Sequence, residues 1–292
     1  MKNDKLTNFA IIDTDSGEIT QYLTTTEKSL LEEKYTSANP SSDNKLNDDN
    51  CRKNTDLFYQ YVSETCGNFY FNYYENINYS QYIFRFIYLC TFMNYKNYLE
   101  YGNSKDENKL MIKKDLFEVL KLSDRETYNT INYLTENQFI EISEKYIKVN
   151  DDYCKKGNLT TNKNKGVIRM FDNAIREIYE NSLPKEHKKL SLLIKILPLV
   201  HFSTNVICRD ARQEIIELID YYTLTELADE LGYSTTQKLK KGLMDIKVKG
   251  QPVIMISKIN NKDMLVVNPL IYYKGNDLKT MEGIINLFKM AR

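Results

Sequence analysis

Two stretches of this chain end alike, and that likeness constrains the fold more than any single motif. Residues 149–158 read VNDDYCKKGN and residues 267–276 read VNPLIYYKGN. Val149, Asn150, Lys156, Gly157 and Asn158 match Val267, Asn268, Lys274, Gly275 and Asn276, with seven residues from the Asn to the Gly in both. Upstream, Leu116, Leu120 and Ser123 match Leu227, Leu231 and Ser234 at spacings of four and then three. From the Ser to the matched Asn is 27 residues in the first segment and 34 in the second, so the second carries seven extra residues. A unit that recurs in this way predicts a recurring substructure, with the matched Leu residues in its core and the Asn–Gly pair closing a turn.

Hydrophobic periodicity fills in the unit. In the first segment KKDLFEVL reads as a short amphipathic helix, KLS as a turn, and DRETYNTINYLTENQFI as a second helix. Ser123 is placed to cap that helix, with Glu126 three residues on in the capping-box pattern. Tyr128, Ile131 and Leu134 form its apolar face, and IEI and YIKV flank SEK as a short hairpin. In the second segment TLTELADELG is a helix with Thr225 as its cap, GYS a turn, and Ser234 the cap of TTQKLKKGLMDIKV. PVIMISKI and DMLVVNP follow as two strands joined at NNKD. Helix, turn, helix and two-stranded wing is the winged-helix order. The expected fold class is therefore mainly α with small β wings (α+β), as tandem duplicated winged helix-turn-helix domains.

The rest of the chain divides around these units. Residues 1–56 hold FAIIDTDSGEITQYL, a hairpin about Gly17, and then a polar stretch from 36 to 56 that reads as loop or linker. Residues 57–165 form the first expected domain and residues 166–292 the second. A buried helix is expected from about Ser80 to Glu100, where Phe84, Ile87, Tyr88 and Thr91 share one face continued by Phe92 and Tyr95. Further helices are expected over 167–181 and 186–200, with Pro184 at the start of the second and Pro198 ending it. FSTNVICRDA reads as a connector, and KTMEGIINLFKM as a closing amphipathic helix that either pairs two chains as a homodimer or covers the core.

Charge narrows the function classes. Lys and Arg number 40, as do Asp and Glu, so the molecule as a whole does not attract polyanions and any such site must be a local patch. Residues 1–56 contain 7 basic and 11 acidic residues, whereas residues 225–292 contain 11 basic and 7 acidic. Residues 108–165 lie between, with 11 basic and 9 acidic. Five cysteines (Cys51, Cys66, Cys90, Cys154 and Cys208) show no metal-ligand spacing, and His187 and His201 complete no set, so no metal is expected. An odd cysteine count and an amino-terminal MKNDKLTNFA without an apolar run lead to the expectation of a reduced, cytoplasmic protein. YIFRFIYLC contains Arg85 and is too short to span a bilayer, so no membrane partner is expected.

Phosphate-cradling and dinucleotide-binding glycine patterns are absent, as are H-E-x-x-H and G-x-S-x-G. Arg52, Arg85, Arg125, Arg169, Arg176, Arg209 and Arg212 are dispersed. Neither a cofactor nor catalysis is expected. Tyrosine nucleophiles, of which 23 are present, leave nicking or recombination as a distant reading.

A helix fits the major groove if its exposed start carries polar side chains with cations nearby. The second unit supplies Ser234, Thr235, Thr236, Gln237, Lys238, Lys240 and Lys241, with Gln237 suited to adenine, and Lys258 and Lys262 at the wing tip. The first supplies Arg125 and Asn129, with Ser123, Thr127 and Asn132 and with Lys145 in its wing, but Asp124 and Glu126 would repel phosphate unless they face away. The expected DNA contacts are Ser234, Thr235, Thr236, Gln237, Lys238, Lys241, Lys258, Lys262, Arg125 and Asn129. The competing reading is a winged-helix protein-interaction module without DNA binding. It expects an apolar patch among the aromatics from Phe69 to Tyr82 and no positive face around Lys238 to Lys241.

KKDLFEVLKLSDRETYNTINYLTENQFIEI, STNVICRDA, LTELADELGYS and VVNPLIYYKGN together make the chain resemble a group of phage and plasmid winged-helix proteins of Firmicutes-type bacteria, replication initiators among them. The resemblance implies sequence-specific binding of double-stranded DNA in replication or transcriptional control. Whether a regulatory protein or peptide is a further partner is left open by the sequence.

Overall fold

The computed structural model describes residues 9–12, 19–23, 53, 55–72, 77–101, 109–157, 166–259 and 262–290. Most of the polar stretch from 36 to 56 lies outside the described residues, as do Asn158, Cys51 and Arg52. The architecture is mixed α+β, with several small antiparallel sheets.

The N-terminal hairpin pairs β1 (Phe9–Ile12) with β2 (Ile19–Leu23). A helical segment from 55 to 61 runs into one wide turn at Val62–Cys66 and then into β3 (Asn68–Asn72). Helix α1 (Gln81–Cys90) follows, shorter than its periodicity predicts: beyond Thr91 the chain turns so that Met93 can bridge to Leu99. Phe84, Ile87, Tyr88 and Thr91 are buried as expected, whereas Tyr95 is 78% exposed. Then come β4 (Glu100–Tyr101), β5 (Lys109–Leu110), α2 (Asp115–Leu120), α3 (Asp124–Glu136), β6 (Ile140–Ile142), β7 (Ile147–Val149) and β8 (Cys154–Lys155).

The second segment opens with β9 (Val167–Phe171), where a helix over 167–181 is expected. Only Asp172–Glu180, α4, is helical. In VIRMF the buried positions Ile168 and Met170 alternate, a period of two that suits a strand. Helix α5 (His187–Ile196) follows a tight turn at Pro184–Glu186, and a second such turn at Leu197–Leu199 contains Pro198. The order then repeats: α6 (Leu224–Glu230), α7 (Thr236–Met244), β10 (Lys247–Val248), β11 (Gln251–Pro252), β12 (Ile254–Ile259) and β13 (Lys262–Val267). Helix α8 (Leu278–Met290) closes the chain and buries Met281, Ile284 and Phe288, so it covers the core.

Strand β3 lies between β8 and β9, with Tyr70 opposite Lys155 on one side and Arg169 on the other. One sheet therefore joins the two segments. Helix α1 also packs on α5, and a single hydrophobic core runs through both halves.

The sequence repeat is a repeat of hydrogen bonds. Leu99 N–H donates to Ile147 O (2.9 Å) as Ile207 N–H does to Leu265 O (2.8 Å). Met111 N–H donates to Leu99 O (2.8 Å) as Tyr222 N–H does to Ile207 O (3.1 Å). Val149 N–H donates to Asn97 O (2.9 Å) as Val267 N–H does to Asn205 O (2.8 Å). Asn97 and Asn205 are both left-handed, at φ 62° and 55°, and both are buried. Their side-chain amides donate to Cys154 O (2.7 Å) and Tyr272 O (2.6 Å) respectively. The matched Asn150 and Asn268 behave alike too, donating from Nδ2 to Gln138 O (2.9 Å) and Pro252 O (3.1 Å). Each accepts at Oδ1 from the residue two further on, Asp152 or Leu270, at 3.0 Å.

The glycines of the match are also structural. A Cβ on Gly275 would lie 2.9 Å from Phe202 O, and one on Gly157 would meet the Tyr95 ring at 3.0 Å. The seven extra residues divide in two. Ser123 precedes Phe139 by 16 residues and Ser234 precedes Val253 by 19, the difference being the β10–β11 hairpin. The remaining four lengthen the β12–β13 hairpin.

Replacing Asn205 with Ala removes the amide from two buried carbonyls, Tyr272 O and Val267 O (3.2 Å), and places a Cβ-bearing residue without a local hydrogen bond at positive φ. The expected loss is about 2–4 kcal/mol in urea unfolding, with Asn205→Gly losing less because its backbone is free to turn left-handed.

Candidate nucleic-acid interface

Helices α6 and α7 are set by their caps. The cap of α6 is Thr223, not Thr225: its Oγ1 accepts from Glu226 N–H (3.3 Å) while Glu226 Oε2 accepts from Thr223 N–H (2.8 Å). This reciprocal pair satisfies two N–H groups that helix geometry leaves open. The turn passes through Gly232 at φ 73°, and the matched Lys121 makes the same left-handed turn between α2 and α3 at φ 49°. The cap of α7 is Thr235, whose extended backbone (φ −154°) lets Oγ1 accept from Lys238 N–H at 3.4 Å. Ser234, the expected cap, instead accepts from Lys238 Nζ at 3.1 Å.

Leu239 and Leu243 anchor α7 in the core, which leaves Gln237, Lys238, Lys240 and Lys241 exposed, together with Ser234 and Thr235 at its start. Thr236 is half-buried. No acidic residue lies between Gly232 and Met244. Asp245 follows and is held by Lys189 at 2.8 Å, an interaction that keeps its carboxyl below the usual range. Lys258 and Lys262 lie on β12 and β13, opposite Asp263 and Ile259; only their backbone is described.

Helix α3 has a different face. Ser123 caps it, accepting from Glu126 N–H at 3.4 Å, but Glu126 does not complete a capping box. Its carboxylate turns inward to the buried Arg85 on α1, 2.9 Å from Nη1. Arg85 Nη1 also donates to Thr130 Oγ1 (2.8 Å), and its Nε donates to Nδ1 of the buried His187 on α5 (3.2 Å). Thr127, Thr130, Ile131 and Leu134 form the buried face, so Tyr128, expected there, sits half exposed with its ring edge-on to Phe117. Arg125 and Asn129 are exposed beside Asp124, Asn132 and Glu136. Repulsion from Glu126 is thus relieved by its pairing with Arg85, while Asp124 and Glu136 remain in solvent. Of the aromatics from Phe69 to Tyr82 expected in a protein-docking patch, Phe69 and Phe71 are buried, Tyr70, Tyr79 and Tyr82 are half-buried, and Tyr73 and Tyr74 lie outside the described residues.

Among the described residues no group of His, Cys, Asp and Glu is placed to hold a metal ion, and no helix is long and apolar enough to cross a membrane. Burial raises the thiols of Cys66 and Cys90, and pushes Cys208 up to about 12. Comparison with protein-family models, curated proteins and solved structures finds no match to this chain.

The positioning of α3 through Arg85 carries a pH signature. Burial, and then the Arg85 charge, pushes His187 down to about 4 from its ordinary 6.5. As pH falls, the unfolded chain takes up this proton first, so stability is full above about pH 6.5 and is lost as pH approaches 4. The loss attributable to this group is up to about 3 kcal/mol. Urea unfolding across that range is expected to show a steeper acid decline in the wild type than in His187→Gln, which can still accept from Arg85 but does not titrate.

Proposed function

We propose that this chain is a sequence-specific double-stranded-DNA-binding protein built from two tandem winged-helix units, acting in the replication or transcriptional control of a phage or plasmid. The observation that carries the reading is the face of α7. Ser234, Gln237, Lys238, Lys240 and Lys241 point to solvent around a cap-rigidified helix start, with no acidic residue from Gly232 to Met244. The order of α6, turn, α7 and hairpin matches the way such units dock, second helix in the major groove and wing along the backbone.

In this mechanism Gln237 reads a base edge, adenine being the geometric match for its amide, while Lys238 and Lys241 neutralise phosphates. Lys258 and Lys262 follow the backbone from the wing. The first unit contributes less. Arg125 and Asn129 share the α3 surface with Asp124 and Glu136, so this unit adds a second, weaker contact whose benefit is effective concentration. The replication or transcription role rests on the resemblance of the sequence alone.

Two substitutions separate reading from holding. Gln237→Ala is expected to lower discrimination at one or two base pairs by about 1–3 kcal/mol while leaving non-specific affinity unchanged. Lys241→Gln is expected to weaken binding to every duplex and reduce the salt slope by about one. Titrations of specific and scrambled duplexes at several salt concentrations measure both. Unchanged sequence preference in Gln237→Ala would remove α7 from the recognition role.

A further inference from the structure

A groove of about 620 Å³ lies beside the turn that leads into α7, lined by Lys185, Lys188, Lys189 and Lys195 together with Tyr79 and Tyr233. Tyr233 immediately precedes Ser234, so the groove abuts the exposed start of α7. The two helices are held side by side: Lys189 pairs with Asp245, and a Cβ on Gly242 would lie 3.9 Å from Leu192 of α5. Lys185 and Lys188 are exposed and Lys195 is half-buried. Among the described residues none of these three makes an ion pair, and Lys189 alone of the four engages a carboxylate.

Two observations set this charge apart from an ordinary solvated face. Lys185, Lys188 and Lys189 crowd the N-terminal end of α5 and the tight turn that leads into it, the positive end of the helix dipole, where further cations are unfavourable. The carboxylate there, Glu186, is occupied in accepting from Leu183 N–H at 2.8 Å. The repeat supplies the second observation, an internal control. Glu100 N–H donates to Phe92 O (2.9 Å) as Cys208 N–H does to Leu199 O (2.9 Å), which aligns the ends of α1 and α5. Counting back from Leu199 and Phe92 without a gap, Lys185, Lys188, Lys189 and Lys195 fall opposite Asn78, Gln81, Tyr82 and Tyr88. The first unit builds the same architecture with no cation at any of these four positions, so folding does not require them. A local choice that opposes the helix dipole and is dispensable to the architecture marks a binding surface.

We propose that this groove holds the sugar–phosphate backbone of duplex DNA on the flank of the tract that α7 reads, with Lys185, Lys188 and Lys195 neutralising phosphates there. The proposal rests on α7 being seated in the major groove. It adds a contact from α5 to those from α7 and the β12–β13 hairpin, and it extends the protected region beyond the bases that determine preference.

The test is the triple variant K185Q/K188Q/K195Q against the wild type. Both are titrated with a duplex that the wild-type protein recovers from a randomised pool, with a scrambled duplex of equal length, and with a single strand. The expected result is a salt slope shallower by about 2–3 on both duplexes, since each phosphate left without its lysine lowers the slope by about 0.9. The preference for the selected duplex over the scrambled one is expected to stay unchanged, and the melting temperature to stay equal or rise. An unchanged slope with a retained preference overturns the groove and leaves the reading of α7 standing. A loss confined to the single strand overturns it as well. If the wild type retains no duplex at all, the reading of α7 falls and the groove falls with it.

Discussion

Asn97 and Asn205 stand where the chain turns left-handed in the interior, a backbone conformation that few side chains tolerate and that exposes polar groups to an apolar surround. An asparagine meets both demands. Its backbone accepts the turn, its carbonyl holds the last strand of the following hairpin at Val149 or Val267, and its amide holds the chain leaving that hairpin at Cys154 or Tyr272. Each unit is thereby closed on itself, with its hairpin held to the segment that carries the asparagine. The register of α2 and α3, or of α6 and α7, is measured from that closure through Met111 and Tyr222.

The two units share this frame and differ in what they place on it. Arg85, on the first unit's own helix, reaches Glu126 and Thr130 of α3 and His187 of α5. The aligned position in the second unit is Leu192, which packs toward Gly242 of α7. The first unit therefore commits a buried polar network to locking α3 to the second unit, and its solvent face remains of mixed charge. The second anchors α7 by apolar contact and leaves its surface free for cations. The lysines of α7 and α5 gather in that half, where basic residues clearly outnumber acidic ones from residue 225 onward. The two copies thus differ in use: one commits its polar groups to joining the halves, and the other presents its cations to solvent.

Much of this was legible from local pattern. Helices α2, α3, α6, α7 and α8 follow from their spacing of apolar residues, and the matched VN…KGN ends mark the close of each unit. What was missed depends on distant partners. Asn205 reads as part of a loop, because its amide is satisfied 62 and 67 residues away at Val267 and Tyr272. Asn97 and Asn205 also lie in unlike neighbourhoods, KNYL and TNVI, so the likeness is one of geometry. Strand β9 runs into α4 without a breaking residue, which lets VIRMF pass for the first turn of a helix. Glu126 fits a capping box in sequence, but the buried guanidinium of Arg85, 41 residues earlier, is a stronger partner than a backbone N–H. For α6 the signal was present and local: Thr223 and Glu226 have capping-box spacing, and Thr225 merely lies closer to the apolar run. In STT, three hydroxyls compete for the cap of α7, and only the backbone angle at Thr235 decides.

The central claim is that the α7 face reads duplex sequence. The most direct measurement is selection: the intact protein is incubated with a pool of randomised duplexes at about 0.15 M salt with excess non-specific competitor, a condition at which purely electrostatic binding is weak. Bound molecules are recovered and sequenced over successive rounds. A sequence-reading α7 face yields a recurring motif containing a major-groove adenine whose enrichment disappears when Gln237 is replaced. Folded protein that retains no duplex, or that retains duplexes sharing no motif, would contradict it.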